Sequence, residues 1–205
     1  MLGLPKSTVV NKQLPKKAIY AKFQMNTVAK EKIDADISKI MIVNEIVPNK
    51  VNIDSGENVK SFFVMLVSLK TKEFSEKTIA VLSKLIPQNM LFILEYETEC
   101  KLVVLRSKLI QTEWIPTESA QIELKGLNLD AVWENIIVQI GSIRIGSGNT
   151  LDEQIAIDEQ KVKLQKEIVR LEKLARAEKQ PKKKFELVSQ ANVLKKQLAE
   201  LDKKD

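Results

Sequence analysis

The 205 residues contain no histidine and a single cysteine, Cys100. That removes Ser–His–Asp and Cys–His nucleophilic catalysis, imidazole acid–base work, and every metal site built on histidine or paired cysteines. Bond-breaking chemistry would have to come from carboxylates, lysine or carboxylate-held Mg2+. Residues of those types stand in two places. Asp54 precedes the apolar run SFFVMLVSL (Ser61 to Leu69), and Lys70 ends it. Farther on, EYETECK offers Glu95, Glu97, Glu99 and Lys101. Metal-dependent nucleases of the restriction-enzyme type set an acid on one strand and an acid–x–Lys pair on the next; the carboxylates hold Mg2+ and the lysine orients the attacking water. Glu99-x-Lys101 has that spacing but is expected to straddle a turn, and the residue two before Lys70 is Ser68, which carries no carboxylate. Asp54, Glu99, Lys101 and Lys70 are therefore a rival catalytic set only. The leading expectation is no catalytic residue, no bound metal and no cofactor. Cys100 reads as an incidental thiol, because Glu97 and Glu99 would oppose thiolate formation. GSGNT (Gly146 to Thr150) lacks the lysine of a phosphate loop and reads as a linker.

Charge points to binding. Residues 1–30 carry six lysines and no acid, residues 31–150 carry 13 basic and 16 acidic groups, and residues 151–205 carry 14 basic and 11 acidic groups. Two basic zones flank a mildly acidic body. Lys6, Lys12, Lys16 and Lys17 at the start, and Lys182, Lys183 and Lys184 near the end, are candidate phosphate contacts. Lysine reads backbone charge and not base identity, so any nucleic acid, DNA or RNA, would be bound nonspecifically. The only arginines are Arg106, Arg144, Arg170 and Arg176, which argues against base-specific readout. No apolar run is long enough to cross a bilayer and no secretory leader is recognisable, so a cytoplasmic protein is expected.

The elements that would position these residues follow from hydrophobic spacing. An extended lysine-rich lead is expected over residues 1–25, with a short strand at AIYAKF (Ala18 to Phe23). Ile33, Ile37 and Ile40 have helical spacing. Strands are predicted at IMIVNEIV (Ile40 to Val47) and at SFFVMLVSL, the latter covered on both faces. Ser75 can cap a helix with an apolar face of Ile79, Leu82 and Ile86, widened by Val81 and Leu85. MLFILEYE and KLVVLRSKLI read as an antiparallel pair, and QTEWIP as a short edge strand. In LNLDAVWENIIVQIG, residues Leu129, Val132, Trp133, Ile136, Ile137 and Ile140 form one helical stripe, capped by Asn128 and ended by Gly141. Trp133 is read as core. The result is a mixed α/β domain over residues 1–150 with a strand–strand–helix–strand–strand kernel. Gly146, Ser147 and Gly148 form the expected hinge after it.

Residues 151–205 read as an antiparallel coiled-coil hairpin, with helices at about 151–178 and 182–203. Ile157, Leu164 and Leu171, joined by Ile168 and Leu174, give the first seam; Leu187, Ala191, Leu194, Leu198 and Leu201 give the second. Pro181 ends one helix and suits the opening of the next. Ile155, Val162 and Val169 fall off the main stripe, so a second packing surface is expected there. These three and Leu187, Leu194, Leu198 and Leu201 are the candidate partner-binding residues; a homo-oligomer is one outcome.

Several segments resemble a bacterial family described only as domain of unknown function four-three-nine-one. They are the opening LPKSTVVNKQLPKKAIY, then LIPQNMLFILEYE, TEW (Thr112 to Trp114), GLNLDAVWENIIVQI and the tail from LQKEIVRLEK to QLAEL. The resemblance implies a companion of bacterial helicases or DNA methyltransferases in restriction-type or other defence clusters, and supplies no catalytic residues. The functional expectation is a non-enzymatic accessory or scaffold subunit of a DNA-processing or defence assembly. It would bind a protein partner through the hairpin and nucleic-acid phosphates through lysines. The alternatives are a Mg2+-dependent nuclease, on a nuclease-like α/β domain, and a stand-alone nonspecific nucleic-acid-binding module.

Overall fold

Seven strands form one mixed sheet in the computed structural model, which describes residues 2–84 and 87–202. The chain divides into two compact units, Met1–Ser142 and Ile143–Asp205.

In the first unit the strands are β1 (Val9–Gln13), β2 (Ile37–Ile46), β3 (Phe62–Leu69), β4 (Asn89–Tyr96), β5 (Glu99–Leu105), β6 (Leu109–Gln111) and β7 (Ile115–Pro116). Their order is β1-β2-β3-β4-β5-β6, with β7 on β5. Every pairing is antiparallel except β3 with β4. A parallel pair needs a crossover, and the short helix α4 (Glu76–Leu82) supplies it. The other helices of this unit are α1 (Lys16–Lys22), α2 (Thr27–Asp36), α3 (Pro48–Val51) and α5 (Leu129–Gly141). The strand–strand–helix–strand–strand kernel is thus β2-β3-α4-β4-β5.

β3 is central because its side chains are apolar on both faces. Met65, Val67 and Leu69 join a buried cluster with Ile79 and Leu82 of α4, Ile33 of α2 and Ile19 of α1. On the opposite face, Phe62 packs its ring 5.2 Å from that of Trp133 on α5. The stripe predicted for α5 is buried throughout, and Asn128 caps it by accepting from the Ala131 N–H at 3.0 Å. β4 and β5 are joined by the two-residue turn Glu97-Thr98, with Glu97 at φ 53°, the left-handed backbone that tight hairpins need.

Several local expectations are corrected. Ala18–Phe23 is not a strand: α1 occupies it, because Pro15 opens a helix and Ile19 must reach the core. The strand lies earlier, at VVNKQ. The lead is not loose either. Leu2 is buried, its carbonyl accepts from Ile122 N–H at 3.1 Å, and the Leu14 N–H reaches Ile40 O at 2.9 Å. Ile37 and Ile40 belong to β2, so α2 buries Ile33 alone. KLVVLRSKLI breaks at Arg106–Lys108 into β5 and β6. Ser75 precedes α4 without a side-chain cap bond. Leu85 and Ile86 lie outside the described residues. The turn that ends α5 is made by Ser142, at φ 48°, and not by Gly141.

The second unit holds α6 (Leu151–Ala177) and α7 (Pro181–Asp202), packed against each other. Thr150 and Glu153 form a reciprocal capping box at the start of α6. Ahead of it, the expected hinge is pinned to the helix: the buried Gln154 accepts from the Gly146 N–H and from Asn149 Nδ2, both at 3.0 Å. Among the described residues, no helix is long and apolar enough to cross a membrane.

Candidate functional site

The residues of the rival catalytic set do not converge. Asp54 sits near the start of β3, where its carbonyl accepts from Leu129 N–H at 2.9 Å. Lys70 follows the last residue of β3 and its N–H reaches Asp36 O. Eight strand residues separate the two ends, about 26 Å at ~3.3 Å per residue. Glu99 and Lys101 lie on β5, not across a turn, and alternation puts them on one face. They stand toward the Lys70 end, since Ser68 pairs with Glu95 and Glu95 with Cys100. Glu99 pairs with Lys72, and Lys72 and Lys101 each lie 5.7 Å from the centre of the Trp114 ring. Among the described residues no three Cys, Asp or Glu side chains gather in a way that could hold a metal ion. Cys100 is fully buried, and burial pushes its thiol up.

Two polar groupings nearby are built into the fold. The Asp34 carboxylate accepts from Lys16 Nζ at 2.9 Å and from the Tyr20 hydroxyl at 2.7 Å, while Lys70 Nζ donates to Asp34 O. Burial together with that carboxylate pushes the Tyr20 phenol up to about 12. The grouping ties α1, α2 and the end of β3 together, so Lys16 and Lys70 are occupied within the fold. The second is a loop anchor. Asp130, in the first turn of α5, accepts backbone N–H bonds from Glu57 (2.7 Å), Asn58 (3.1 Å) and Val59 (2.6 Å). The SGEN segment is therefore wound on a carboxylate and leaves its N–H groups no anion to bind.

The basic positions divide likewise. Lys6, Lys12 and Lys17 are exposed, whereas Lys16 is largely covered. Lys182, Lys183 and Lys184 are exposed in the first turn of α7, which contains no acid. Cations there face the positive end of the helix dipole, which costs ~0.3–1 kcal/mol apiece at an exposed site. An arrangement that opposes helix stability in this way is suited to an anionic partner.

The hairpin geometry sorts the apolar candidates. Leu187, Leu194, Leu198 and Leu201 line the internal seam around the buried Ala191, facing Ile168, Leu171 and Ala175 of α6. Their apolar surface is used inside the hairpin. The α6 seam runs 157, 161, 164, 168, 171, 175, so Ala175 replaces the expected Leu174, which is 44% exposed. Lys161 enters the seam and pairs with Asp202 at 3.0 Å. Ile155 is buried. Val162 and Val169 remain open, at 53% and 56% exposure.

Those two valines share a face with residues that the sequence reading missed. Glu172 and Lys195 pair across the helices at 2.7 Å. Toward the tip of the hairpin from that bridge lies a groove of about 220 Å³ lined by Ala175, Arg176, Lys184, Val188, Ala191 and Asn192. On the other side lies one of about 280 Å³ lined by Gln165, Ile168, Val169, Leu198, Ala199 and Asp202. Phe185, 74% exposed, stands seven residues before Asn192 and hence on the same side of α7. The signal was available: Phe185, Val188 and Asn192 repeat at three and four residues beside the leucine seam.

The comparisons with known proteins give one match. No curated protein and no solved structure resembles the chain closely enough to report. The family model described as Domain of unknown function (DUF4391) matches residues 2–198, nearly the whole length, and the chain belongs to that family.

Proposed function

We propose that this protein is a non-enzymatic accessory subunit of a bacterial DNA-processing or defence assembly, working in the cytoplasm. Its helical hairpin grips protein, and its exposed lysines steady nucleic-acid phosphates. One observation carries the reading: the hairpin, whose seam is already filled by its own leucines, presents a second grooved apolar face beside a tip with three exposed lysines. A hairpin that only had to fold would place polar residues at Val162, Val169, Phe185 and Val188. A helicase or methyltransferase is the kind of companion that fits a phosphate-contacting scaffold.

Reconstitution tests this. The full chain, mixed with a helicase or DNA methyltransferase from the same cell, should elute as a stoichiometric complex. Its affinity for DNA or RNA oligonucleotides should fall with salt, with a slope reduced by about 3 when Lys182, Lys183 and Lys184 are replaced by alanine, at ~0.9 per phosphate on duplex DNA. A chain that stays free of both would refute the proposal. The rival is a nuclease on a nuclease-like sheet. The separation of Asp54 from Glu99 and Lys101 weighs against it; DNA cleavage in Mg2+ that is lost on Asp54→Ala would restore it.

A further inference from the structure

Helix stability does not account for the charge along α6. The helix opens with Asp152, Glu153, Asp158 and Glu159 and no base, whereas residues 160–184, which lead up to the hairpin tip and round it, carry ten basic and three acidic groups. A helix dipole rewards cations only in the last turn. Lys163, Lys166, Arg170 and Lys173 all precede the last turn of α6. They recur at steps of three, four and three residues, so they form one stripe, and all four are exposed. The seam takes positions 161, 164, 168, 171 and 175, which puts the stripe on the side of α6 turned away from α7. At ~100° per residue, Lys163 and Arg170 fall on one flank of the stripe's midline, and Lys166 and Lys173 on the other. Two of the four have acidic neighbours on the same helix, Glu159 at 3.9 Å from Lys163 and Glu167 at 2.6 Å from Arg170. Exposed pairs of this kind hold their partners weakly and give way to a denser row of anions.

Cations on both flanks of one helix match a ligand that carries two rows of anions about a helix diameter apart. The major groove of duplex DNA is ~12 Å wide between its phosphate rows and admits a helix of ~10–12 Å. The deep, narrow major groove of duplex RNA does not. A single strand offers one row, and surfaces that hold it stack its bases on aromatic rings, which the stripe lacks. We infer that α6 lies along the major groove of duplex DNA, with Lys163 and Arg170 on one phosphate row and Lys166 and Lys173 on the other. Lys182, Lys183 and Lys184 continue the contact round the tip. The inference rests on the phosphate-contacting part of the function proposed above and names its substrate as duplex DNA, held by its backbone. The valine-bearing grooves stay open to protein.

Fluorescence anisotropy of the full chain with a labelled DNA duplex, read over a salt series, tests this. Log affinity should fall against log salt with a slope of about 6, from seven phosphate contacts at ~0.9 each. Replacing Lys163, Lys166, Arg170 and Lys173 together by glutamine, a good helix former, should lower the slope by about 3 to 4 and leave the circular dichroism unchanged. Removing the same charge at four exposed lysines of the first unit, Lys32, Lys77, Lys84 and Lys125, should leave the slope as it was. Methyl green, which occupies the major groove, should compete with the chain, and distamycin, which occupies the minor groove, should not. A single strand and an RNA duplex of the same length should each bind at least about tenfold more weakly. An equal loss of slope in the two fourfold variants would show that net charge, and not the stripe, is read, and would overturn the inference. So would competition by distamycin, a preference for the single strand or the RNA duplex, or capture by phosphatidylserine vesicles in place of DNA. If the stripe variant keeps its slope while alanines at Lys182, Lys183 and Lys184 lower it by about 3, the groove placement is refuted and the phosphate contact of the tip stands. A chain that binds no duplex at all refutes both.

Discussion

Replacing Leu171 by alanine separates the hairpin from the rest of the fold energetically. Leu171 is buried in the α6–α7 seam, 4% exposed, between Ile168 and Ala175 and facing α7. A buried leucine-to-alanine change costs ~2–5 kcal/mol, the spread reflecting how far the site collapses. Here the flanking Ala175 and the opposing Ala191 are small, and Leu187, Leu194 and Leu198 are only half-buried. A narrow seam of this kind can close, which selects the low end, ~2–3 kcal/mol. At ~1.4 kcal/mol per factor of ten, the population with α7 detached should rise about thirty- to a hundredfold. A two-helix unit has little stability to spare. Amide hydrogen exchange reads this directly. Protection along α7 should fall by that factor, and the amides of β3 and β4 should keep theirs. Equal loss in β3 would show that both units unfold together. A change below about threefold in α7 would show that the seam does not hold the hairpin closed.

Three further outcomes are expected. Gly56→Ala would set its methyl group on the Asp130 carboxylate and 2.7 Å from the Asp130 backbone nitrogen, which cannot move aside; chemical denaturation should record a loss of ~1–3 kcal/mol. In a Tyr96→Phe background, the remaining tyrosine should ionise near 12 by ultraviolet absorbance. Because the folded value is raised, its contribution is complete below the ordinary phenol range of about 10 and disappears as pH climbs through 12; Asp34→Ala should return the transition toward 10. Desolvation opposes the ionised Asp130 carboxylate, but the Val59, Asn58 and Glu57 N–H groups outweigh it and hold it below its usual range. Its stabilisation is therefore present above the ordinary value of about 4 and fades as acid protonates it. Exchange at residues 57–59 should quicken there in the wild type and already at neutral pH in Asp130→Ala.

Where one spacing admitted a single solution, local pattern was enough. The α5 stripe, the apolar run of β3, the turn in EYETECK and the leucines of α7 are each written in neighbouring residues, and local pattern places them. The absence of histidine likewise decides which chemistry is unavailable without any coordinates. Other features depended on partners distant in sequence. Ala18–Phe23 has strand-like composition, yet Lys16 and Tyr20 find Asp34 only when the segment is helical. Ile37 and Ile40 fit a helix by spacing, but β3 offers them a ladder. Asp54 and Glu99 have the residue types of ligands and stand apart because they lie toward opposite ends of β3. In the hairpin, the sequence announces a seam and cannot say which neighbours fill it. Ala175 takes the place that hydrophobicity alone would award to Leu174, and Lys161 enters the seam as well, since the rotation of α6 about its own axis, and not residue type, decides what faces inward.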